Sequence, residues 1–351
     1  LETFYSAKQN HEKLAWVLEI RLQHTEEKTQ RKGLLRRIGD IYERLDKKVQ
    51  AFIMARRALG EEPGDMGVRM WIQKLANETE SHAELAEAYV EEAQKTEDAK
   101  SILWFHRQAA ALFHEKLQDY PAATTEYRAI LEAEPRDEKA LTSLEAIYRD
   151  EQSFANLAEI LRQRAEHTIG MERRRELLNE LGELYADQLH ENEKAVEVFR
   201  QILTQTPDDV RAFERAETLM AQSNHWEPLS DFYKAESDRL SSKRGADPRA
   251  RRLDLMFKRA QVLDQQIGDL EEGTALLTSI LQENATHHAS WQYLENRIDQ
   301  GLAVAESIAL LEKIYSQEEQ WERYARLLEK KLSRTTERDA RFEIYQRLAN
   351  V

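Results

Sequence analysis

Ten histidines are the residues here with the widest choice of chemistry. His106 and His114 lie about two turns apart on what reads as one helix, and His287 precedes His288 in a turn. Imidazoles at the right spacing would hold a transition metal. Neither pair has the i, i+4 spacing and acidic neighbour of a zinc-protease helix, and adjacent helical side chains do not face one another. The histidines therefore read as surface or groove residues, and no metal is expected. With no cysteine in the chain there is no thiolate zinc site, disulfide or cysteine nucleophile. No GxGxxG or GxxxxGK[ST] phosphate cradle and no GxSxG elbow occurs. Carboxylate pairs are abundant among 65 acidic residues and single out no site. The expectation is a protein without cofactor that is not an enzyme.

A second kind of chemistry is recognition, and for it Trp104 and Arg107 stand out. Aromatic and arginine side chains supply most binding hot spots, and Trp104 has no counterpart in the recurrent packing described below. The bland alternative is a tryptophan partly tucked against a neighbouring helix.

The elements that would position these groups are helices. Only eleven Gly and six Pro occur in 351 residues, 33% of which are charged, so strands and long loops are disfavoured. No apolar run approaches the roughly 20 residues of a membrane helix, and no membrane insertion is expected. Against 51 basic residues the 65 acids leave a formal charge of -14. That charge repels nucleic acid and favours a basic or neutral protein partner. Lack of cysteine suits reducing and oxidising compartments alike, with the cytoplasm favoured.

The chain repeats. Pro63, Pro135 and Pro207 recur at one equal step, and the same step relates Ala51, Ala123 and Ala195, and again Ala55, Tyr127 and Phe199. Upstream lie small-x-x-aromatic pairs, Gly39 with Tyr42, Ala110 with Phe113 and Gly182 with Tyr185, and a looser copy in Ala260 with Leu263. Residues 1–25 and 144–168 are identical at ten of 25 positions. Apolar spacing divides each unit into four helices, in the third unit about 172–189, 193–205, 208–222 and 225–240, with Asn192 as an N-cap and Gly60 as a C-cap in the first unit. About 18 helices are expected.

Half of each unit resembles the tetratricopeptide repeat, a helix-turn-helix of about 34 residues. The resemblance rests on Gly39, Tyr42, Ala51, Ala55 and Pro63, then Ala110, Phe113, Ala123, Tyr127 and Pro135, then Gly182, Tyr185, Ala195, Phe199 and Pro207. The other halves are degenerate, with Glu145 and Glu217 at the small position, and Phe154, Trp226 and Trp321 opening the second helix as expected core aromatics. What this implies is an all-α solenoid, a superhelix of antiparallel helix pairs alternating tetratricopeptide and degenerate repeats. The boundaries are 1–30 (partial), 31–98, 99–170, 171–248, 249–337 and 338–351 (partial), with about 17 extra residues interrupting the repeat near Gly301. Both ends fall inside a repeat, so the chain reads as one solenoid fragment of a longer protein. Long alternating arrays of this kind point to a bacterial scaffold.

In tetratricopeptide proteins the first helices line a concave groove. Carried across, its positions here are Gly33, Arg36, Asp40 and Glu43; Trp104, Arg107, Ala111 and His114; Glu176, Asn179, Glu183 and Ala186; and Asp254, Phe257, Gln261 and Asp264. Arg36, Asp40, Trp104, Arg107, His114, Asn179, Glu183, Phe257 and Gln261 are the candidate partner-binding residues. A carboxylate clamp would need asparagine where Asp40 and Glu183 stand, and is not expected. The function implied is a noncatalytic scaffold binding a protein or peptide along the groove or edge, where a long connection from Ser241 to Pro248 could present Lys243 and Arg244. Alternatives are a regulatory array attached to an enzyme domain and, with acids in the groove arguing against it, an RNA-binding helical repeat.

Overall fold

A computed structural model describes residues 1–243 and 245–351; Arg244 lies outside the described residues. Among them 83% are helical, with twenty α-helices and no strand. No described helix is long and apolar enough to cross a membrane.

The chain divides into two compact units, Leu1–Leu189 and His190–Val351. The first holds α1 (Glu2–Ala7), α2 (His11–Gln23), α3 (Lys28–Arg44), α4 (Lys48–Glu61), α5 (Met66–Thr79), α6 (His82–Lys95), α7 (Ala99–Ala111), α8 (Tyr120–Ala133), α9 (Glu138–Asp150), α10 (Phe154–His167) and α11 (Met171–Glu183). The second holds α12 (Asn192–Gln205), α13 (Val210–Gln222), α14 (Trp226–Ser241), α15 (Ala246–Val262), α16 (Leu270–Glu283), α17 (His288–Gln300), α18 (Val304–Gln317), α19 (Trp321–Arg334) and α20 (Arg338–Asn350).

Two turn chemistries alternate along the array. Within a pair, the helix ends on a left-handed residue, as at Asp46, Glu80, Gln152 and Asn224. The next N–H then closes back onto the preceding turn, Lys47 to the Tyr42 carbonyl at 2.9 Å and Ser153 to that of Tyr148 at 2.8 Å, which satisfies an orphan carbonyl. Between pairs the chain is extended, and Asp65, Asp98, Asp137 and Asp209 cap α5, α7, α9 and α13. This alternation exposes one irregularity. Left-handed turns at both Gly301 and Glu319 join α17, α18 and α19 into a triplet. The extra sequence near Gly301 is therefore a whole helix with a short connector.

The small residues of the register allow close approach. Ala51, Ala55, Ala123 and Ala195 have no exposed surface. The spacing from Gly39 to Ala51 is one residue shorter than that from Ala110 to Ala123, Gly182 to Ala195 or Ala260 to Gly273. The additional residue is absorbed where α7, α11 and α15 run into π-helical turns, Leu112–Leu117, Leu184–Gln188 and Leu263–Ile267, which α3 lacks. A one-residue insertion in a helix commonly takes this form.

Several local expectations change. Glu191 occupies the N-cap position of α12, and Asn192 is its first residue, donating to Ser223 Oγ at 3.0 Å. Gly60 lies inside α4 without a left-handed backbone. Phe154 and Trp226 are half-buried and Trp321 is exposed, not core. The connection after α14 is only residues 242–245.

Candidate partner-binding face

In the first unit the first helices of successive pairs, α3, α5 and α7, are linked by side chains that reach from one pair to the next. Lys32 Nζ donates to Asp65 at 2.7 Å, Trp71 Nε1 and Lys74 Nζ donate to Glu43 at 2.7 Å each, and Gln73 donates to Gln108 at 3.2 Å. Burial pushes the Glu43 carboxyl up, but the bonds from Lys74 and Trp71 outweigh it and hold the group below the usual carboxylate range.

Two of these rungs are built alike. Arg36 lies over the Trp71 ring at 4.4 Å, and Arg69 lies over Trp104 at 4.0 Å. The step from Arg36 to Arg69 equals that from Trp71 to Trp104, so the second rung repeats the first. Such stacking suits guanidinium on an aromatic face. Trp71 is buried because Gly39 leaves room for its ring.

Beside the Arg36 and Trp71 rung opens a pocket of 690 Å³ between α3 and α5, with Val68, Met70 and Trp71 as its apolar surface and Lys32, Arg36 and Lys74 around it. Gly33 and Gly67 contribute no side chain, and a Cβ placed at Gly33 would meet nothing within 4 Å. Met70 is among the most exposed large apolar residues of the unit.

The residues expected to line the groove divide by environment. Arg36 belongs to this pocket and pairs with Asp40 at 3.2 Å, both remaining half exposed. Trp104 is covered by Arg69 on one face and meets Tyr89 and Phe105 edge-on at 5.3 and 5.2 Å. It therefore has a packing role, contrary to expectation. Arg107 bridges to Asp137 and Glu134, which ties α7 to the start of α9. His114 meets Tyr127 Oη at 3.2 Å, and His106 pairs with Glu126 at 2.7 Å. Asn179 donates to the Arg175 carbonyl at 3.0 Å, Glu183 is half-buried, and Ala186 is buried.

In the second unit Phe257 packs edge-on to His287 at 5.5 Å and Tyr293 at 5.7 Å, and Gln261 is half-buried. His287 caps α17, its ring nitrogen accepting from the Ser290 N–H, and burial lowers its pKa, which favours the neutral ring. Asp264 is no groove residue: its side chain is 0% exposed and faces Arg297, 1% exposed, at 3.4 Å. Lys243 bonds Asp208 at 2.8 Å.

Lys32, Met70, Trp71 and Lys74 escaped the sequence reading. The signal was present in the equal steps from Arg36 to Arg69 and from Trp71 to Trp104, which the longer step from Pro63 to Pro135 hides.

No family model matches the sequence, and no curated protein matches it. The chain is similar to solved helical structures. A structure of Naa15/Naa10 bound to HypK-THB matches at 16% identity, over 95% of this chain and 51% of that one, with a TM-score of 0.36. A tetratricopeptide repeat protein from Parabacteroides merdae matches at 14% identity, over 76% of this chain and 98% of that one, with a TM-score of 0.29. YrrB, a TPR protein with an unusual peptide-binding site, matches at 14% identity, over 60% of this chain and 99% of that one, with a TM-score of 0.26. The chain spans about half the length of the Naa15/Naa10 chain it matches. Its own helices, packed consecutively with small residues and aromatics in register, form an all-α repeat array that resembles the tetratricopeptide pattern.

Proposed function

We propose that this protein is a noncatalytic scaffold that holds a protein or peptide partner on the face of α3, α5 and α7, anchored in the pocket between α3 and α5. The observation that carries the reading is that pocket: apolar Met70 and Trp71 beside Lys32, Arg36 and Lys74, with Gly33 leaving its mouth open. A mostly apolar cleft with a few polar groups suits insertion of one side chain with its backbone held at the rim. Each rim cation already has an acidic partner, Asp65, Asp40 or Glu43, so charge selects the partner by exchange of ion pairs while the apolar contact supplies affinity. Trp104, Arg107 and His114 extend this face, and Asn179, Glu183, Phe257 and Gln261 are secondary candidates. With a formal charge of -14, the whole partner is neutral or basic.

The test uses peptides selected against the protein from a random display library. Affinities are then measured for Gly33→Leu and Met70→Glu. A Cβ at Gly33 meets nothing within 4 Å and Gly33 lines the pocket, so a leucine there is expected to occupy it, with a loss of tenfold or more, about 1.4 kcal/mol, and unchanged circular dichroism. Unchanged affinity in both variants would move the site elsewhere.

A further inference from the structure

Helices α4 and α2 of the first unit carry exposed apolar residues that the face of α3, α5 and α7 does not explain. Along α4, Val49, Ile53 and Arg57 stand one turn apart in a single stripe. Val49 is 56% exposed and Ile53 47%, and Arg57 is exposed with no ion pair or hydrogen bond among the described residues. Beside the stripe, between α4 and α6, runs a groove of 490 Å³ that Phe52, Ser81 and Glu84 also line.

The chain supplies its own control. At the same register α8 has Pro121, Thr125 and Ala129, and α12 has Glu193, Glu197 and Gln201. Packing of the second helix in a pair therefore does not require large apolar residues on this face. Helix α2 departs in the same way. In the two segments related by sequence, 1–25 and 144–168, exposed Trp16 and Ile20 stand where α10 has Glu159 and Gln163. The bond from Lys47 to Glu12, 2.8 Å, places α2 beside α4. Exposed apolar residues are unremarkable singly, but Val49 and Ile53 share one stripe beside a groove and are replaced by other residues in the later copies, as Trp16 and Ile20 are in the later copy of α2, and apolar surface of this kind marks a binding site.

We infer that this face is a docking site for an amphipathic helix of a partner protein, one that presents two apolar side chains a turn apart and an acidic residue a turn further on. The groove between α4 and α6, with Val49 and Ile53 as exposed apolar residues along one wall, is the form of site into which an amphipathic helix lays its apolar face. Arg57 is an unpaired cation in a chain of formal charge -14, and it calls for a carboxylate where the apolar stripe ends. At the Arg57 end Glu91 and Glu92 also line the groove, but Arg56 and Lys95 pair with them, so Arg57 is the cation left over there, while Glu84, near the start of α6, disfavours a carboxylate at the other end. Charge thus sets the direction in which the partner helix lies.

The experiment is a display library of helical peptides randomised on one face and selected against the whole chain. The binders are measured by fluorescence polarisation with the wild type, a Val49→Glu/Ile53→Glu double variant and Arg57→Glu. Glutamate stands at both equivalent positions of α12, so the double variant is expected to fold, and circular dichroism checks this. Arg57 is exposed, and its substitution leaves the core untouched. The selected peptides should converge on two apolar residues one turn apart with Asp or Glu one turn further on. They should lose tenfold or more with the double variant, and exchange the acidic preference for Lys with Arg57→Glu. Binders indifferent to all three substitutions would overturn the proposal. So would sedimentation showing a wild-type dimer that the double variant dissolves, or binding to phosphatidylcholine and phosphatidylserine vesicles that depends on Val49 and Ile53.

Discussion

Gly39 lies directly beneath the ring of Trp71, which belongs to the next helix pair along the chain: a Cβ built on Gly39 would sit 2.1 Å from the ring's Cζ2 and 2.4 Å from Cη2. The closeness is possible only without a side chain, and it seats Trp71 where its Nε1–H reaches Glu43. Gly39→Ala should therefore overpack and cost about 1–3 kcal/mol. Gly33, in the same helix, has open space around it, and Gly33→Ala should stabilise by about 0.5–1 kcal/mol through helix propensity alone. Urea unfolding of the two variants should shift midpoints in opposite directions. A common direction would contradict the assigned environments.

The buried Asp264 and Arg297 pair holds α17 to the π turn of α15. Both carboxylate oxygens of Asp264 lack a hydrogen bond, and Gly273 packs so close that a Cβ there would lie 2.0 Å from Oδ1. Burial raises the Asp264 pKa despite the nearby guanidinium. Arg297→Met should cost about 3–5 kcal/mol because it strands a buried carboxylate, whereas the Asp264→Leu/Arg297→Met double variant should recover much of that. Thermal melts of both single variants and the double complete the cycle, and simple additivity would mean that the two groups do not interact.

The π turns make a prediction about length. Removing Lys116, an exposed residue of the turn Leu112–Leu117, restores the shorter spacing found between Gly39 and Ala51. The deletion should leave α7 and α8 in register and cost no more than about 1–2 kcal/mol, in the ordinary range of point changes. Deleting Glu43 from α3, which has no spare residue, should be far more damaging. Hydrogen exchange over α7 and α8 would reveal a register loss.

Left-handed turns occupied by non-glycine residues offer stability. Gln152 has φ of 54° at the turn between α9 and α10, a conformation that costs an L-residue roughly 1–2 kcal/mol. Gln152→Gly should raise the melting temperature slightly, the relief exceeding the added freedom of the unfolded chain. A lower melting temperature would count against the assigned turn.

Glu43 predicts an acid dependence. Its folded pKa lies below its ordinary 4.5, so its contribution is complete above that value and is lost as pH falls through the folded pKa. Glu43→Gln should therefore lower stability at pH 7, and by progressively less as pH falls below 4.5 toward and through the folded pKa, by comparison of melts across that range. A gap that persisted in acid would point to packing instead.

The sequence by itself determined that the chain is helical and that helices pair antiparallel. Small residues at Ala51, Ala123 and Ala195, aromatics at fixed distances from them and prolines at equal steps are local consequences of two helices meeting across a short turn, so spacing along the chain records them. The tertiary structure decided which faces those helices hide. Trp71 and Trp104 hold related positions in successive helix pairs, yet Gly39 opens space for one, while Tyr89 and Arg69 surround the other. Asp264 read as an open groove position and is buried by helices that follow it in the chain, through Gly273 and Arg297. Periodicity within a helix tells which side chains share a face. What covers that face comes from the neighbouring helix pairs, where a single glycine or an added helix changes the answer without altering the local pattern.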